Sequence, residues 1–239
     1  MMNMNLFDTY NLRARLCVSI FYAAPFIFDI ICLTHKAFSI TEGVVLSAVC
    51  VTVCQALLGI HRAPINGQPV KNTAAELLSP LSTLSEGTRV RYYRKLASFE
   101  PEFQPLLDYI APSSCDTEGH SDDIGKLCAD VISWLRAKTR NPETFRLVYE
   151  ENINYGYVRN MFHLKPIGIG ANLLSAALFG IYLISVRDVF TWGEHGLYCL
   201  CLMIHLISTL YLHCCINASS VDAAATRYAR ALLETIDIL

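Results

Sequence analysis

Ile167–Val186, IGIGANLLSAALFGIYLISV, runs for twenty residues without a charged side chain. An α-helix rises ~1.5 Å per residue, so a stretch of this length covers the ~30 Å of hydrocarbon in a bilayer. Lipid offers no hydrogen bonds to exposed backbone, which makes a helix the form such a stretch takes there. Three further apolar runs, Leu16–Leu33, Gly43–Ile60 and Gly196–Ile216, have the same character. Together they predict an all-α membrane protein with four transmembrane helices in two pairs, and a mostly helical domain inserted between the second and third.

Of 239 residues, 53% are hydrophobic and 17% charged, respectively above and below the shares of a soluble domain. The excess lies in the four runs. Between Arg62 and Pro166 there are 13 Lys/Arg and 13 Asp/Glu. That neutral balance gives no general electrostatic reason to bind nucleic acid. Eight of the ten cysteines (Cys17, Cys32, Cys50, Cys54, Cys199, Cys201, Cys214, Cys215) lie in the apolar runs, where a thiol behaves as a small hydrophobe. Only Cys115 and Cys128 remain, which argues against a disulfide-stapled secreted scaffold.

Cations are distributed unevenly between the spans. Arg13 and Arg15 precede the first, 13 Lys/Arg separate the second from the third, and Arg227 and Arg230 follow the fourth, against Lys36 and Arg187 in the two short connections. Positive charge stays on the cytosolic side. The expected layout is a cytosolic tail (1–15), a first helix pair (16–61), a cytosolic helical domain (62–166), a second helix pair (167–216) and a cytosolic amphipathic helix (217–239). Asn217-Ala-Ser219 then faces the cytosol and is no glycosylation acceptor. Leu16–Leu33 reads as a retained span, being long for a signal segment and without a clear small-residue cleavage site.

Within the polar domain, His61–Lys71 with Pro64, Gly67 and Pro69 reads as a linker. Pro80 breaks Ala74–Leu84, Gly87–Phe99 is a helix, and Glu100–Ile110 is apolar at helical spacing ahead of a loop at Pro112–Gly119. Ser121 is placed to cap a helix whose Ile124, Leu127, Cys128, Val131, Ile132 and Leu135 fall on one face. Asn141-Pro142-Glu143 starts another helix with proline at its first position. Ser219 or Ser220 caps a last helix, whose Val221, Ala225, Tyr228, Leu232 and Ile236 dock on the central domain.

Amide and ionisable side chains are costly in hydrocarbon unless paired, so each one there marks a site. Gln55, Asn172 and His213 share a depth near the cytosolic ends of their spans. Small or polar residues fall on rows of every fourth position: Gly43, Ser47, Gln55 and Gly59 on the second span, with Val51 completing the row, and Gly168, Asn172, Ala176 and Gly180 on the third. These rows predict an antiparallel seam with Gly59 near Gly168, Gln55 near Asn172 and Ser47 near Gly180. Asp29, the only carboxylate in a span, sits one turn after Pro25. It either snorkels to the nearby outer end or forms a proton or cation relay with His205 of the fourth span. Cys201, His205 and Cys215 share one side of that span, yet His205 and Cys215 lie ~15 Å apart along the axis. One ion cannot bridge them, so no metal or other cofactor is expected.

On the cytosolic side, Arg89-Val-Arg91-Tyr-Tyr-Arg94-Lys95 mixes cations with aromatics. Such a surface suits lipid phosphates or a solvated face, with a nucleotide or nucleic acid as the other ligand class. Glu150–Pro166, containing Tyr155, Gly156, Tyr157, Arg159, Asn160 and His163, is the most unusual polar stretch. A helix broken near Gly156, just before a span, makes an elbow that couples the domain to the membrane. Arg159, Asn160 and His163 resemble the arginine, polar residue and histidine of HEPN ribonucleases, one residue short of the usual spacing. A membrane-tethered nuclease using Arg159 and His163 is therefore the enzymatic alternative.

The same elbow, a Tyr-Gly-aromatic-x-Arg-Asn run followed by Leu164-Lys165-Pro166 and a span, combined with the two-plus-two layout, resembles uncharacterised bacterial inner-membrane proteins encoded among antiviral defence genes. The resemblance covers those features only and carries no assigned chemistry. It implies a multi-pass inner-membrane component of defence, a sensor or effector working with a soluble cytosolic partner. The resulting expectation is a non-enzymatic, homo-oligomeric sensor or effector in the lipid bilayer. The alternative is a small ion or proton channel or transporter with Asp29 and His205 on its path.

Overall fold

The computed structural model describes residues 9–34, 40–60, 72–80, 82–109 and 121–239. The linker at His61–Lys71, the loop at Pro112–Gly119 and Cys115 lie outside the described residues, as does the side chain of Ser121. Among the described residues there is no strand. A helical turn (Thr9–Asn11) and a π-helical turn (Leu12–Leu16) lead into α1 (Cys17–Thr34). Then follow α2 (Ile40–Ile60), α3 (Thr73–Leu78), α4 (Glu86–Phe99), α5 (Gln104–Asp108), α6 (Ser121–Lys138), α7 (Arg146–Ser185), α8 (Trp192–Cys215) and α9 (Ala218–Glu234). The chain divides into two compact units. One, the apolar unit, takes the described residues of Met1–Gln68 and Gly156–Val221; the other, the polar unit, takes those of Pro69–Tyr155 and Asp222–Leu239. The division inside α7 falls at Gly156 rather than at Pro166.

Among the described residues three helical stretches are long and apolar enough to cross a membrane: Thr9–Cys32, Arg146–Ser185, whose first ten residues belong to the polar unit, and Trp192–Cys215. The second apolar run forms α2, 21 residues in all, of which Thr41–Leu57 is a shorter apolar helix. Burial in this unit is inverted relative to a bundle in water. On α7 the buried face is Gly168, Asn172 and Ala176, while Leu174, Leu178 and Ile181 are 64%, 61% and 63% exposed. In water such a face would be an aggregation surface. In lipid a leucine loses nothing by facing out, and small residues inside let helices approach.

Helices α7 and α8 keep one antiparallel register along their length. Tyr182 meets His195 at 3.3 Å, Asn172 meets His205 at 2.7 Å, and Lys165 Nζ donates to the carbonyls of His213 at 3.2 Å and Ile216 at 2.5 Å. The Lys165 ammonium thus satisfies backbone acceptors left open at the end of α8, where the helix dipole also favours a cation.

Helix α7 runs unbroken through Gly156 and Pro166, so the break expected at Gly156 is absent. The glycine meets a different need. A Cβ there would stand 2.7 Å from Tyr10 Oη and 3.2 Å from Ala14 Cβ, so only a hydrogen lets the N-terminal turns cross this closely. Asn160 Nδ2 donates to the Ala14 carbonyl at 2.6 Å. Ala14 lies within the π-helical turn, whose widened ladder accommodates an outside donor.

The polar unit has a conventional core. Leu78, Tyr93, Leu96, Leu106, Ile132 and Leu135 pack with Leu232, Leu233 and Ile236 of the chain's end. Along α6, Ile124, Cys128, Val131, Ile132 and Leu135 are buried and Leu127 half-buried, the face that their spacing predicts. Tyr93 Oη donates to the Leu78 carbonyl at 2.5 Å. Burial pushes the Cys128 thiol up to about 11, with its hydrogen bond to Tyr93 opposing, and burial likewise raises the Tyr93 phenol. Two helix starts differ from expectation. Asn141-Pro142 makes a turn, with Asn141 Oδ1 accepting from Glu143 N at 3.0 Å, and α7 begins only at Arg146. The cap of α9 is Asn217, whose Oδ1 accepts from Ser220 N at 2.8 Å; an amide there reaches the same donor that a serine cap would.

Candidate functional site

Asp29 on α1, Asn172 on α7 and His205 on α8 form one chain of hydrogen bonds within the apolar unit, buried at Asn172 and His205 and half-buried at Asp29. His205 is fully buried. Its Nε2 meets Asp29 Oδ2 at 2.7 Å and its Nδ1 meets Asn172 Oδ1 at 2.7 Å. Asn172 Nδ2 donates to the Gly168 carbonyl at 2.7 Å, one helical turn back on its own helix.

This geometry fixes the protons. A backbone carbonyl only accepts, so the end of the Asn172 amide that faces Gly168 is the NH2 and the end that faces His205 is oxygen. Nδ1 of His205 therefore carries a hydrogen. Between Nε2 and Asp29 Oδ2 one further proton must lie, because two acceptors would not approach to 2.7 Å. It has two seats: on nitrogen it gives imidazolium and carboxylate, on oxygen neutral imidazole and carboxylic acid. In both arrangements the pair is neutral. A lone ionised aspartate within a span would instead be costly.

The pair is flanked by aromatic rings and a thiol, with Asp29 less covered than His205. Phe26 and Phe179 flank the imidazole with ring centroids 5.2 and 5.9 Å away, and aromatic faces stabilise a cationic ring. The second carboxylate oxygen, Oδ1, is buried without a hydrogen-bond partner, and the buried Cys201 thiol lies beside the carboxylate. The Asp29 side chain keeps 14% of its surface exposed while that of His205 keeps none.

Asp29, which the sequence leaves as a snorkelling acid or part of a relay with His205, meets the His205 imidazole. Asn172 spends its amide on other groups than the one the sequence suggested. Its amide is taken by His205 and Gly168, because α1 and α8 pack on this face of α7. A Cβ at Gly168 would stand 2.6 Å from Tyr22 Cδ1 and 3.2 Å from Leu212 Cδ1, whereas one at Gly180 meets nothing within 4 Å. The small-residue row therefore packs at Gly168, Asn172 and Ala176 and ends before Gly180. On α2, Ser47 Oγ donates to the Gly43 carbonyl of its own helix at 2.8 Å. His213 is exposed and enters only through its carbonyl.

Outside the spans, Arg91 Nη2 and Lys95 Nζ hold the Asp237 carboxylate at 2.9 and 3.1 Å. Half of the basic cluster thus anchors the chain's end, with Arg94 exposed and Arg89 half-buried. Tyr155 stacks on Tyr228, ring centroids 6.1 Å apart and planes 2° from parallel. Tyr157 packs against the cluster of Val18, Tyr22 and Met161. Asn160 serves the Ala14 carbonyl, and Arg159 and His163 are half-buried one turn apart on unbroken helix. Sequence reasoning missed His195, buried where α7 joins α8 with Tyr182, Phe190 and Tyr198 around it. The signal for it was the density of aromatics between Phe190 and Tyr198, the composition of a membrane-interface belt. Among the described residues no group of three or more His, Cys, Asp or Glu is placed to hold a metal ion. No family model matches the sequence, and no curated protein or solved structure is detectably similar to it.

Proposed function

We propose that the protein is a non-enzymatic, proton-responsive integral membrane module. In this reading α2 completes four spans, the polar unit and both termini lie in the cytosol, and the membrane is a bacterial inner membrane. The contact of Asp29 with His205 at 2.7 Å carries the proposal. The pair joins α1 to α8 and, through Asn172, to α7. Loss of its shared proton leaves two acceptors facing each other and a net negative charge; gain of a second leaves a buried cation. Either change favours a different helix packing, which is how proton occupancy biases a two-state element. Infrared difference spectra of the protein in vesicles, taken across a pH step, test this. The expected result is a carboxyl band change in the wild type that Asp29→Asn abolishes; the same change in Asp29→Asn contradicts the proposal.

The residual exposure of Asp29 favours a second reading, net proton movement through the pair. It predicts acidification of dye-loaded vesicles that Asp29→Asn abolishes. Self-association and a cytosolic protein partner belong to the first reading, in the antiviral-defence setting to which the resemblance of Tyr155–Pro166 points. Support for self-association comes from α2, where Gly43 has open space about it, as a small residue at a close helix contact does. A monomeric mass in mild detergent would count against it.

A further inference from the structure

We propose that a cavity in the apolar unit binds the acyl chain of a membrane lipid. The cavity holds about 240 Å³ between α1, α2 and α7, with Tyr22, Phe26, Val53, Cys54, Leu57 and Ala171 in its walls. Its lining offers water almost nothing to bond. The Tyr22 hydroxyl already donates to the Met161 carbonyl at 2.6 Å, and thiols are weak partners. A water molecule in a cavity needs two to four polar partners, whereas an apolar void of roughly 150 Å³ stays dry and takes up a benzene-sized hydrocarbon. This void is larger, so an apolar occupant is the one it suits.

The position of the cavity says which hydrocarbon. Val49 and Val53 belong both to its wall and to the outer face of α2, where they are 50% and 51% exposed. The cavity therefore opens on the same aliphatic surface that Leu174 and Leu178 continue on α7. In a bilayer the solvent at that surface is acyl chain, so a chain enters without crossing water and outnumbers any dissolved apolar solute. Phe26 is a wall of the cavity and also flanks His205 at 5.2 Å, which puts the bound chain one ring away from the Asp29–His205 pair. This site rests on the apolar unit lying in a bilayer, and it does not depend on the pair responding to protons.

Full-length protein reconstituted in phosphatidylcholine vesicles, with a photoactivatable diazirine near the end of one acyl chain, provides the test once adducts are mapped by mass spectrometry. The expected adducts fall on Cys54, Leu57 and Ala171 inside the cavity as well as on the outward Leu174 and Leu178. Filling the cavity with Ala171→Phe removes the adducts on Cys54 and Leu57 and leaves the outer ones. Val53→Trp, at a half-exposed position, does the same should Ala171→Phe fail to fold. Wild-type adducts confined to Leu174 and Leu178 overturn the proposal, as do inner adducts that persist in both filled variants. Absence of adducts from the inner and outer sets alike overturns the bilayer placement itself, so the two failures are distinguishable.

Discussion

At the scale of single residues, the account turns on partners that cannot be removed one at a time. Truncating His205 leaves Asp29 as a buried acid without its base, and truncating Asp29 leaves the imidazole without its acceptor; breaking a buried pair in this way typically costs ~3–5 kcal/mol. Replacing both by leucine leaves no unpaired group. Asp29→Leu and His205→Leu are therefore each expected to lower stability in detergent by several kcal/mol, and the double variant by much less than their sum. Additive losses would mean that the two side chains do not interact. Glycines offer a second contrast. Gly168→Ala forces the Tyr22 ring aside and is expected to cost ~1–3 kcal/mol, as overpacking does, while Gly180→Ala is expected to be neutral. Equal effects in the same thermal assay would contradict the close approach. The sequence makes each of these polar residues conspicuous, since every charge or amide in an apolar run stands out. It cannot show which meets which: Asp29 and His205 lie 176 positions apart, and only the packing of three helices brings them together.

At the scale of elements, α6 is legible and α7 only partly so. The α6 stripe repeats at helical spacing, so its buried face follows from periodicity alone. Gly156 is misread because glycine serves two ends, flexibility and close approach, and sequence does not distinguish them; only the crossing of Tyr10 and Ala14 shows the second. Small residues likewise mark a close contact without naming the neighbour: Gly168 meets Tyr22 and Leu212, a pairing that no spacing announces. For the polar unit the buried pair of Cys128 and Tyr93 yields a pH prediction. Below pH 9 the thiol is protonated whether folded or not. Between the ordinary 9.0 and the folded value of about 11, the unfolded chain releases a proton that the folded chain keeps, so stability falls as pH rises, by roughly 2–3 kcal/mol over that window. Denaturation of the full chain followed by Trp134 fluorescence should show this decline. In Cys128→Ala it should be shallower and set in later, with the Tyr93 phenol; identical slopes in the two proteins would contradict the burial of the thiol.

At the scale of the whole molecule, two units obey opposite rules. The polar unit buries leucine and tyrosine and exposes charge, while the apolar unit buries histidines and asparagines, half-buries an aspartate and exposes leucine and isoleucine. Opposite patterns in one chain are the signature of two solvents, water for one unit and lipid for the other. The neutral charge balance of the middle segment and the crowding of apolar residues into four runs made that division readable from sequence. The polar centre of the lipid-facing unit was readable only as a set of unpaired candidates. Inverted burial and the proton shared at that centre meet in one side chain, His205. Nitrogen-15 solid-state NMR of the bilayer-reconstituted protein, with His205 assigned by comparison with His205→Phe, tests both together. The account predicts a protonated, hydrogen-bonded Nδ1 that Asn172→Leu perturbs and an Nε2 that Asp29→Asn perturbs. An Nδ1 without hydrogen, or a His205 signal indistinguishable from that of a water-exposed histidine, would contradict it.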